Sequence, residues 1–316
     1  MSDGTRAVPS DKVWTTLITN LSYLPGLLTL HYSLLRVRSA YPLVALYTDS
    51  FPASGLAALR ARRIPHQRIR AILPATSKPY PDDPRFLECW TKLAPFSLTQ
   101  YSRVVQLDSD MLVLRNMDEL FSVPLMDREP GKTSKKVFAA GHACVCNPLG
   151  KPHYPADWTP ANCAFTSQHS DPELAQTSGG DPEELSPRLV YCNGGLQVVR
   201  PSGETWREIQ DYMSERAGEL DFADQSVLSG CFRGRWVALP YVYNALKTMR
   251  WEGVHGAIWR DEEVRNVHFI LTPKPWEDDG GNLAREEDKE PHRWWREIDA
   301  ERRKIEKEEG VVDDGW

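Results

Sequence analysis

The sequence predicts an α/β protein with a mostly parallel central sheet flanked by helices. Short apolar, β-branched runs alternate with helical periodicities at the spacing of strand–helix–strand units. One such run, Val104–Leu107, ends directly in Asp108-Ser109-Asp110 rather than in a polar loop. Parallel sheets bind ligands at the carboxyl ends of their strands, so this acidic pair marks the expected site.

Val13–Ile18 reads as the first strand, closed by Thr19-Asn20. A helix follows Pro25, with Leu27, Leu28, Leu30, Leu34 and Leu35 as its buried stripe. Leu43–Thr48 is a second buried strand, 53–63 a helix, and Arg70–Leu73 a short third strand. Cys89–Gln100 is a helix candidate leading into Val104–Leu107. Residues 142–190 break the rhythm with Pro, Gly, Ser, Asn and Cys, and form an insertion shaping one side of the site. Regular pattern resumes at Leu189–Val199, followed by helices over 204–216 and 223–232, the segment Trp236–Leu239 and a last strand, Val264–Ile270. An acidic linker with Gly280-Gly281 then precedes a charged helix over Arg293–Glu309, with Trp294, Ile298 and Ile305 near helical spacing. The expected division is 1–276 as the working domain and 277–316 as linker and C-terminal helix.

Composition bounds the function. With 316 residues, 41% hydrophobic, the chain has ample core material. Its net charge of −6 sits in the tail, since 277–316 hold fifteen acids and eight bases. The near-neutral body excludes a nucleic-acid binder. Met1–Lys12 lacks the apolar core of a signal peptide, and no apolar run approaches the ~20 residues of a membrane helix. Six scattered cysteines in a chain of this length are no disulfide scaffold. A cytoplasmic, reduced protein without membrane contact is the expectation.

In extended backbone, Asp108 and Asp110 point to the same side and can aim at one hard cation. Carboxylates suit Mg²⁺ or Mn²⁺, which take one or two protein carboxylates plus substrate phosphates. His268 ends an apolar run, either as a hydrogen-bonded core residue or as a third anchor; Lys274 is either a surface lysine or a counter-charge for a diphosphate. Asn193-Gly194-Gly195 is a turn, a bulge, or a place where backbone approaches a ligand. Asp221 and Asp224 open a helix as caps or as sugar-binding acids. Cys144, Cys146 and Cys163, with His142 and His153 nearby, are zinc ligands or plain buried thiols. Arginines 60, 62, 63, 68 and 70 read as a solvated basic face.

Taken in order, these pieces resemble the glycogenin-like and galactinol-synthase-like glycosyltransferases, the retaining family numbered eight. The resemblance lies in Leu17-Ile18-Thr19-Asn20 with Tyr23, Thr91-Lys92-Leu93, Gln106-Leu107-Asp108-Ser109-Asp110 and Cys192-Asn193-Gly194-Gly195. It continues through Asp224-Gln225, Tyr243-Asn244, Val267-His268-Phe269 and Lys274-Pro275-Trp276, covering most of 13–276. It implies a GT-A domain using a UDP-sugar with Mn²⁺, Mg²⁺ being the other candidate. Asp108, Asp110 and His268 would ligate the metal, with Ser109 beside them, and Lys274 would contact the diphosphate. Leu17, Thr19, Asn20 and Tyr23 would face the uridine. Lys92, Asn193, Gly194, Asp221, Asp224 and Gln225 would face the sugar, with Lys92, Asp221, Asp224 and Gln225 as the catalytic candidates.

Two departures matter. Leu271 stands where the family commonly has Gly, and no tyrosine lies between Tyr243 and His268 to serve as a self-glucosylation acceptor. The expectation is therefore transfer of a hexose, glucose or galactose, to a separate polyol, glycan or protein. Two other readings compete: a haloacid-dehalogenase-type phosphohydrolase with Asp108 as nucleophile and Asp110 as acid, and a catalytically silent UDP-sugar-binding scaffold. The C-terminal helix is expected to dock a partner or a second copy, giving a homodimer.

Overall fold

The computed structural model describes residues 4–75, 86–126, 135–180, 190–278 and 285–316. The Gly280-Gly281 linker, Leu189 and residues 181–188 of the insertion lie outside them.

The first half alternates as expected: β1 (Lys12–Ile18), α1 (Leu24–Arg36), β2 (Leu43–Tyr47), α2 (Ala53–Ala61), β3 (His66–Arg68) and a short α3 (Phe86–Cys89). The third strand is His66–Arg68 and not Arg70–Leu73, because these residues pair in register with Ala45–Tyr47. The Cys89–Gln100 helix is instead a 3₁₀ stretch over Trp90–Ser97 that contains Pro95. Proline cannot donate the hydrogen bond an α-helix needs there. After it come β4 (Arg103–Leu107), β5 (Met111–Val113), β6 (Phe138–His142), α4 (Ala164–Ser167) and β7 (Cys192–Val199). The chain closes through α5 (Gly203–Arg216), α6 (Ala223–Cys231), β8 (Trp236–Ala238), β9 (Ala245–Leu246), β10 (Asn266–His268) and α7 (Lys289–Glu308).

Seven strands form one sheet in the order β3-β2-β1-β4-β7-β6-β8. β3, β2, β1 and β4 run parallel, β7 is antiparallel to both β4 and β6, and β6 and β8 are again parallel. A three-stranded sheet, β5-β10-β9, stands beside it. Strands of the large sheet are apolar on both faces, as burial between helix layers requires. Val13, Val44, Val105 and Leu196 are all fully buried. Trp14 packs edge-on against Phe121 at 4.8 Å, closing the core beneath α1. In α1 the buried stripe is Leu24, Leu27, Leu28, Leu30 and Leu34, whereas Leu35 is 60% exposed.

The two sheets meet at Asp108–Asp110. Asp108 donates its backbone N–H to the Gly195 carbonyl at 2.8 Å, the last bond of the β4–β7 ladder. Ser109 and Asp110 then form a turn, and β5 leaves to pair with β10. The acidic pair is thus not extended strand as the sequence suggested. Its two carboxylates converge through the turn, and the register His268↔Met111 brings the imidazole beside them.

α7 returns onto α1. Trp295 and Ile298 join the core, Thr29 donates to Asp299 at 2.8 Å, and Arg302 bonds Asp299 and Glu306. Each buried apolar side chain contributes about 1.5–3 kcal/mol. The desolvation of Asp299 and Arg302 largely offsets their attraction. Apolar burial therefore holds the helix, and the charges set its register. Ile298 faces this chain's own core, while Trp294 and Ile305 are half-buried. Arg62, expected on a solvated face, instead bonds Glu306 and grips Asp314 through two 2.8 Å contacts.

Just before α7, Asp288 is fully buried, taking a 2.7 Å hydrogen bond from the Trp251 indole and facing the buried Lys247 ammonium at 3.2 Å. Removing one member strands a buried charge, which costs far more than the pair contributes. Asp288→Leu should lower unfolding free energy by about 3–5 kcal/mol in denaturant titration. Adding Lys247→Met should recover most of that loss.

Candidate active site

Folding brings the carboxyl ends of β1 and β4, the start of β7 and the segment after β10 around one pocket. Leu17, Thr19, Asn20 and Tyr23 line one end. Asp108, Ser109, Asp110, His268 and Lys274 form its floor, and Asn193, Gly195 and Gln225 face them. Ala143, Cys144, Tyr154 and Trp158 close another side. This last wall comes from the insertion.

The tautomer of His268 follows from the backbone. Gly195 N–H can only donate, and it meets the Asn193 side-chain oxygen at 3.0 Å. Asn244 reaches that same oxygen at 2.9 Å and so must present its NH₂ group. Its own oxygen then faces His268 Nδ1 at 2.9 Å, so Nδ1 carries the proton and donates. His268 Nε2 is left pointing at Asp110 Oδ1 (3.4 Å) and Asp108 Oδ2 (3.6 Å). Nε2 and two carboxylate oxygens thus converge on one place. Such a constellation suits a bound cation, and two carboxylates with an imidazole suit Mn²⁺ or Mg²⁺. The hydrogen bond on the second ring nitrogen is the usual partner of a ligating histidine. The three groups therefore fit a divalent metal. Asn244 is a residue whose role sequence reasoning missed: in Tyr243-Asn244 nothing local signals that it aims a histidine 24 residues away.

Two lysines serve the same acids. Lys92 Nζ lies 2.6 Å from Asp108 Oδ2, and Lys274 Nζ lies 2.5 Å from Asp110 Oδ2 and 2.6 Å from the Phe269 carbonyl. Burial works to raise the Asp110 pKa, but Lys274 and His268 outweigh it and hold the group well below the carboxylate range. Asp110 is thus set among cations, an arrangement that suits a charged ligand better than the acid of the phosphohydrolase reading.

Asp224 is the opposite case. It is 3% exposed, and its Oδ2 has no hydrogen-bond partner. Burial raises its pKa, Lys92 pulls it down, the Asp108 charge pushes it up, and the result is about 7. It lies behind Gly194, where a Cβ would stand 2.0 Å from Asp224 Oδ2, so only glycine lets this strand pass. A Cβ on Gly195 would stand 2.4 Å from the His268 ring. Asn193-Gly194-Gly195 is thus neither turn nor hairpin. It is strand that bulges against β6, with residues 193–196 of β7 facing the single residue Gly141, and it packs against two functional side chains.

Not every expected residue reaches the pocket. Asp221 is exposed and does not line it, and neither it nor Asp224 caps α6, whose N-cap is Phe222. Asp224 and Gly194 stand behind the pocket surface, where Gly194 N–H donates to Gln225 at 3.0 Å. Lys92 lines the pocket while bound to Asp108. Leu271 adopts φ +64°, the left-handed conformation natural to glycine. The residue differs from the resembled pattern, yet the backbone conformation a glycine favours is kept, at a steric cost of about 1–2 kcal/mol.

A family model described as "Glycosyl transferase family 8" matches residues 15–280. Galactinol synthase 4 of Arabidopsis thaliana is 25% identical over 300 residues, covering 93% of this chain and 83% of its own. Galactinol synthase 1 of Solanum lycopersicum is 26% identical over 288 residues, covering 89% and 79%. Among solved structures, the galactosyltransferase LgtC with donor and acceptor sugar analogs superposes with a TM-score of 0.55 at 14% identity, covering 92% of this chain and 96% of that one. The glycosyltransferase GlyE of Streptococcus pneumoniae TIGR4 gives 0.55 at 17% identity, and the match covers 93% of this chain and 64% of GlyE. These structural likenesses are of fold, and the fold is GT-A. Among the described residues, no helix is long and apolar enough to cross a membrane.

Two outcomes follow from this geometry. Asn244→Leu should weaken Mn²⁺ binding about 10–100-fold, as loss of a histidine's supporting bond does. Calorimetric titration of metal into the variant checks it. For Asp224, a pKa raised from 3.8 to about 7 means the folded chain holds the proton more tightly than the unfolded one. The stability so contributed is full below 3.8 and lost as pH rises through 7. Buried His31 and His142, lowered by burial to about 4, act in the opposite sense. The test is therefore a difference: wild type minus Asp224→Asn, metal removed, should lose on the order of 4 kcal/mol across that window.

Proposed function

The chain belongs to glycosyl transferase family 8, and on that premise we propose that it is a metal-dependent, retaining hexosyltransferase acting from a UDP-sugar onto a separate acceptor hydroxyl. The observation that carries this reading is the convergence of Asp108, Asp110 and His268 Nε2 beside Lys274. Asp108, Asp110 and His268 would hold Mn²⁺, with Mg²⁺ as the alternative. When bound, that ion supplies positive charge to the departing nucleotide diphosphate.

The protein's own groups do the rest. Lys274, buried and fixed between Asp110 and the Phe269 carbonyl, offers a second positive charge to the diphosphate without having to reorganise. Leu17, Thr19, Asn20 and Tyr23 supply the wall for the uridine, and Thr19 is steadied by Glu88 at 2.5 Å. Gln225 and Asn193 face the sugar, while Lys92 holds Asp108 in place at 2.6 Å. Asp224 stabilises the oxocarbenium-like carbon from behind Gly194, through its charge rather than by attack. Its withdrawn position supports a front-face route without an enzyme nucleophile.

Galactose is the preferred sugar, and a small polyol or glycan the preferred acceptor. The relatives named as galactinol synthases and the fold likeness to a galactosyltransferase support this choice. A segment between Tyr243 and His268 that contains no tyrosine supports an external acceptor.

UDP-galactose with Mn²⁺ should raise the melting temperature more than GDP-sugars do, since stabilisation grows with the logarithm of concentration over affinity. Asp110→Asn should cut UDP-sugar hydrolysis and transfer by roughly 100-fold or more, in proportion to lost metal binding. Equal turnover in Asp108→Asn, Asp110→Asn and wild type would sink the proposal.

A further inference from the structure

A second cluster lies outside the acidic site. Cys144 and Cys146 follow β6, Cys163 stands at the N-terminus of α4, and His255 lies in the turns after Trp251. Their four donor atoms all lie within 4.8 Å of one another. His255 Nε2 is 3.4 Å from Cys144 Sγ, 3.3 Å from Cys146 Sγ and 3.4 Å from Cys163 Sγ. Hydrogen bonding does not explain this convergence. An imidazole nitrogen has one lone pair or one proton, so it can satisfy one thiol and not three. Its other nitrogen is already engaged, Nδ1 lying 3.0 Å from His169 Nε2.

A tetrahedral ion does explain it. Zinc bonds sulfur at about 2.3 Å and imidazole nitrogen at about 2.0–2.1 Å, which separates the two donors by roughly 3.5 Å. The observed S···N distances of 3.3–3.4 Å are those of a cage closed around such a centre. Three soft thiolates and one imidazole select zinc over the hard ions suited to Asp108 and Asp110. His169 accepts the Nδ1 proton, which orients the ring and turns Nε2 inward, as partners of ligating histidines do. His255 and Cys163 are buried to within 1% exposure, and Cys146 to 9%.

We propose that Cys144, Cys146, Cys163 and His255 form a structural Cys₃His zinc site. Four protein ligands leave no open position, so the ion's role is to hold chain together. It joins three separate segments: the exit of β6, the start of α4 and the turn at His255. The segment it pins between Cys146 and Cys163 carries Tyr154 and Trp158, which line the pocket. Trp158 stacks on Phe222 at 4.5 Å, two residues before Asp224. The zinc thereby fixes the pocket wall that the insertion contributes. His142 and His153, the sequence candidates, are not ligands: His142 meets the Gly179 carbonyl, and exposed His153 packs on Tyr154.

The test is metal analysis of the full chain, purified reduced and without chelator. One zinc per chain is expected, retained in Asp108→Asn/Asp110→Asn and in the control Cys231→Ser. Zinc should fall to background in Cys146→Ser and in His255→Gln. A second readout, independent of whether those variants fold, uses wild type alone: cobalt exchanged for zinc should give thiolate-to-cobalt charge transfer and the intense visible bands of a tetrahedral ion. His169→Ala should still fill at saturating zinc but bind it about 10–100-fold more weakly. The proposal is overturned if the reduced chain neither carries nor takes up zinc. It is equally overturned if zinc persists in both ligand variants, or leaves with Asp108 and Asp110. A native mass lighter by two hydrogens, with Cys144, Cys146 or Cys163 in a disulfide, also overturns it. None of these outcomes depends on which sugar nucleotide the other site binds.

Discussion

Two carboxylates of one turn can be held at the meeting point of two sheets only if positive charge reaches them from elsewhere. Asp110 is buried and Asp108 half-buried, and like charges this close repel strongly in a low-dielectric setting. Lys92 comes from the 3₁₀ stretch before β4, His268 from the end of β10, and Lys274 from the segment beyond it. The large sheet delivers Asp108, the small sheet delivers His268, and the turn between them fixes the spacing. Much of the surrounding structure serves this one electrostatic demand.

The demand propagates outward as a chain of polar contacts. Gly195 fixes Asn193, Asn193 fixes Asn244, and Asn244 fixes the proton on His268. Each link is forced, because a backbone N–H only donates and an amide has one donating and one accepting end. The glycines are required on the same strand, since side chains there would occupy the space of Asp224 and His268. Asp224, buried without a partner for Oδ2, is an acid left poorly satisfied in this neighbourhood. Poorly satisfied buried groups cluster where chemistry is done.

Much of the large sheet was legible in advance, because strands buried on both faces are written as continuous apolar runs. β1, β2, β4 and β7 fall where Val13–Ile18, Leu43–Thr48, Val104–Leu107 and Leu189–Val199 predicted, within the described residues. The failures have separate physical causes. β3 is polar and three residues long, so only its pairing with β2 reveals it. Pro95 turned an expected helix into 3₁₀ structure. β5 is a run of only three residues, distinguished from a continuation of β4 by the turn at Ser109. The C-terminal helix was read from its periodicity, but its apolar stripe packs on α1 of the same chain.

By itself the sequence determined the fold class, the position of the acidic pair at a strand's end, and the residue types suited to a hard cation. Those properties are local: they depend on periodicity and on the chemistry of adjacent side chains. Only the tertiary structure decided which nitrogen of His268 faces the acids, that Asp224 stands behind a glycine, and that Asp221 stays outside. It alone brought His255 to three cysteines some ninety or more residues away, where His142 and His153 had stood nearer in sequence. A ligand sphere is a condition on distances of a few ångströms, and chain separation carries no information about such distances. Packing of one sheet against another supplies it.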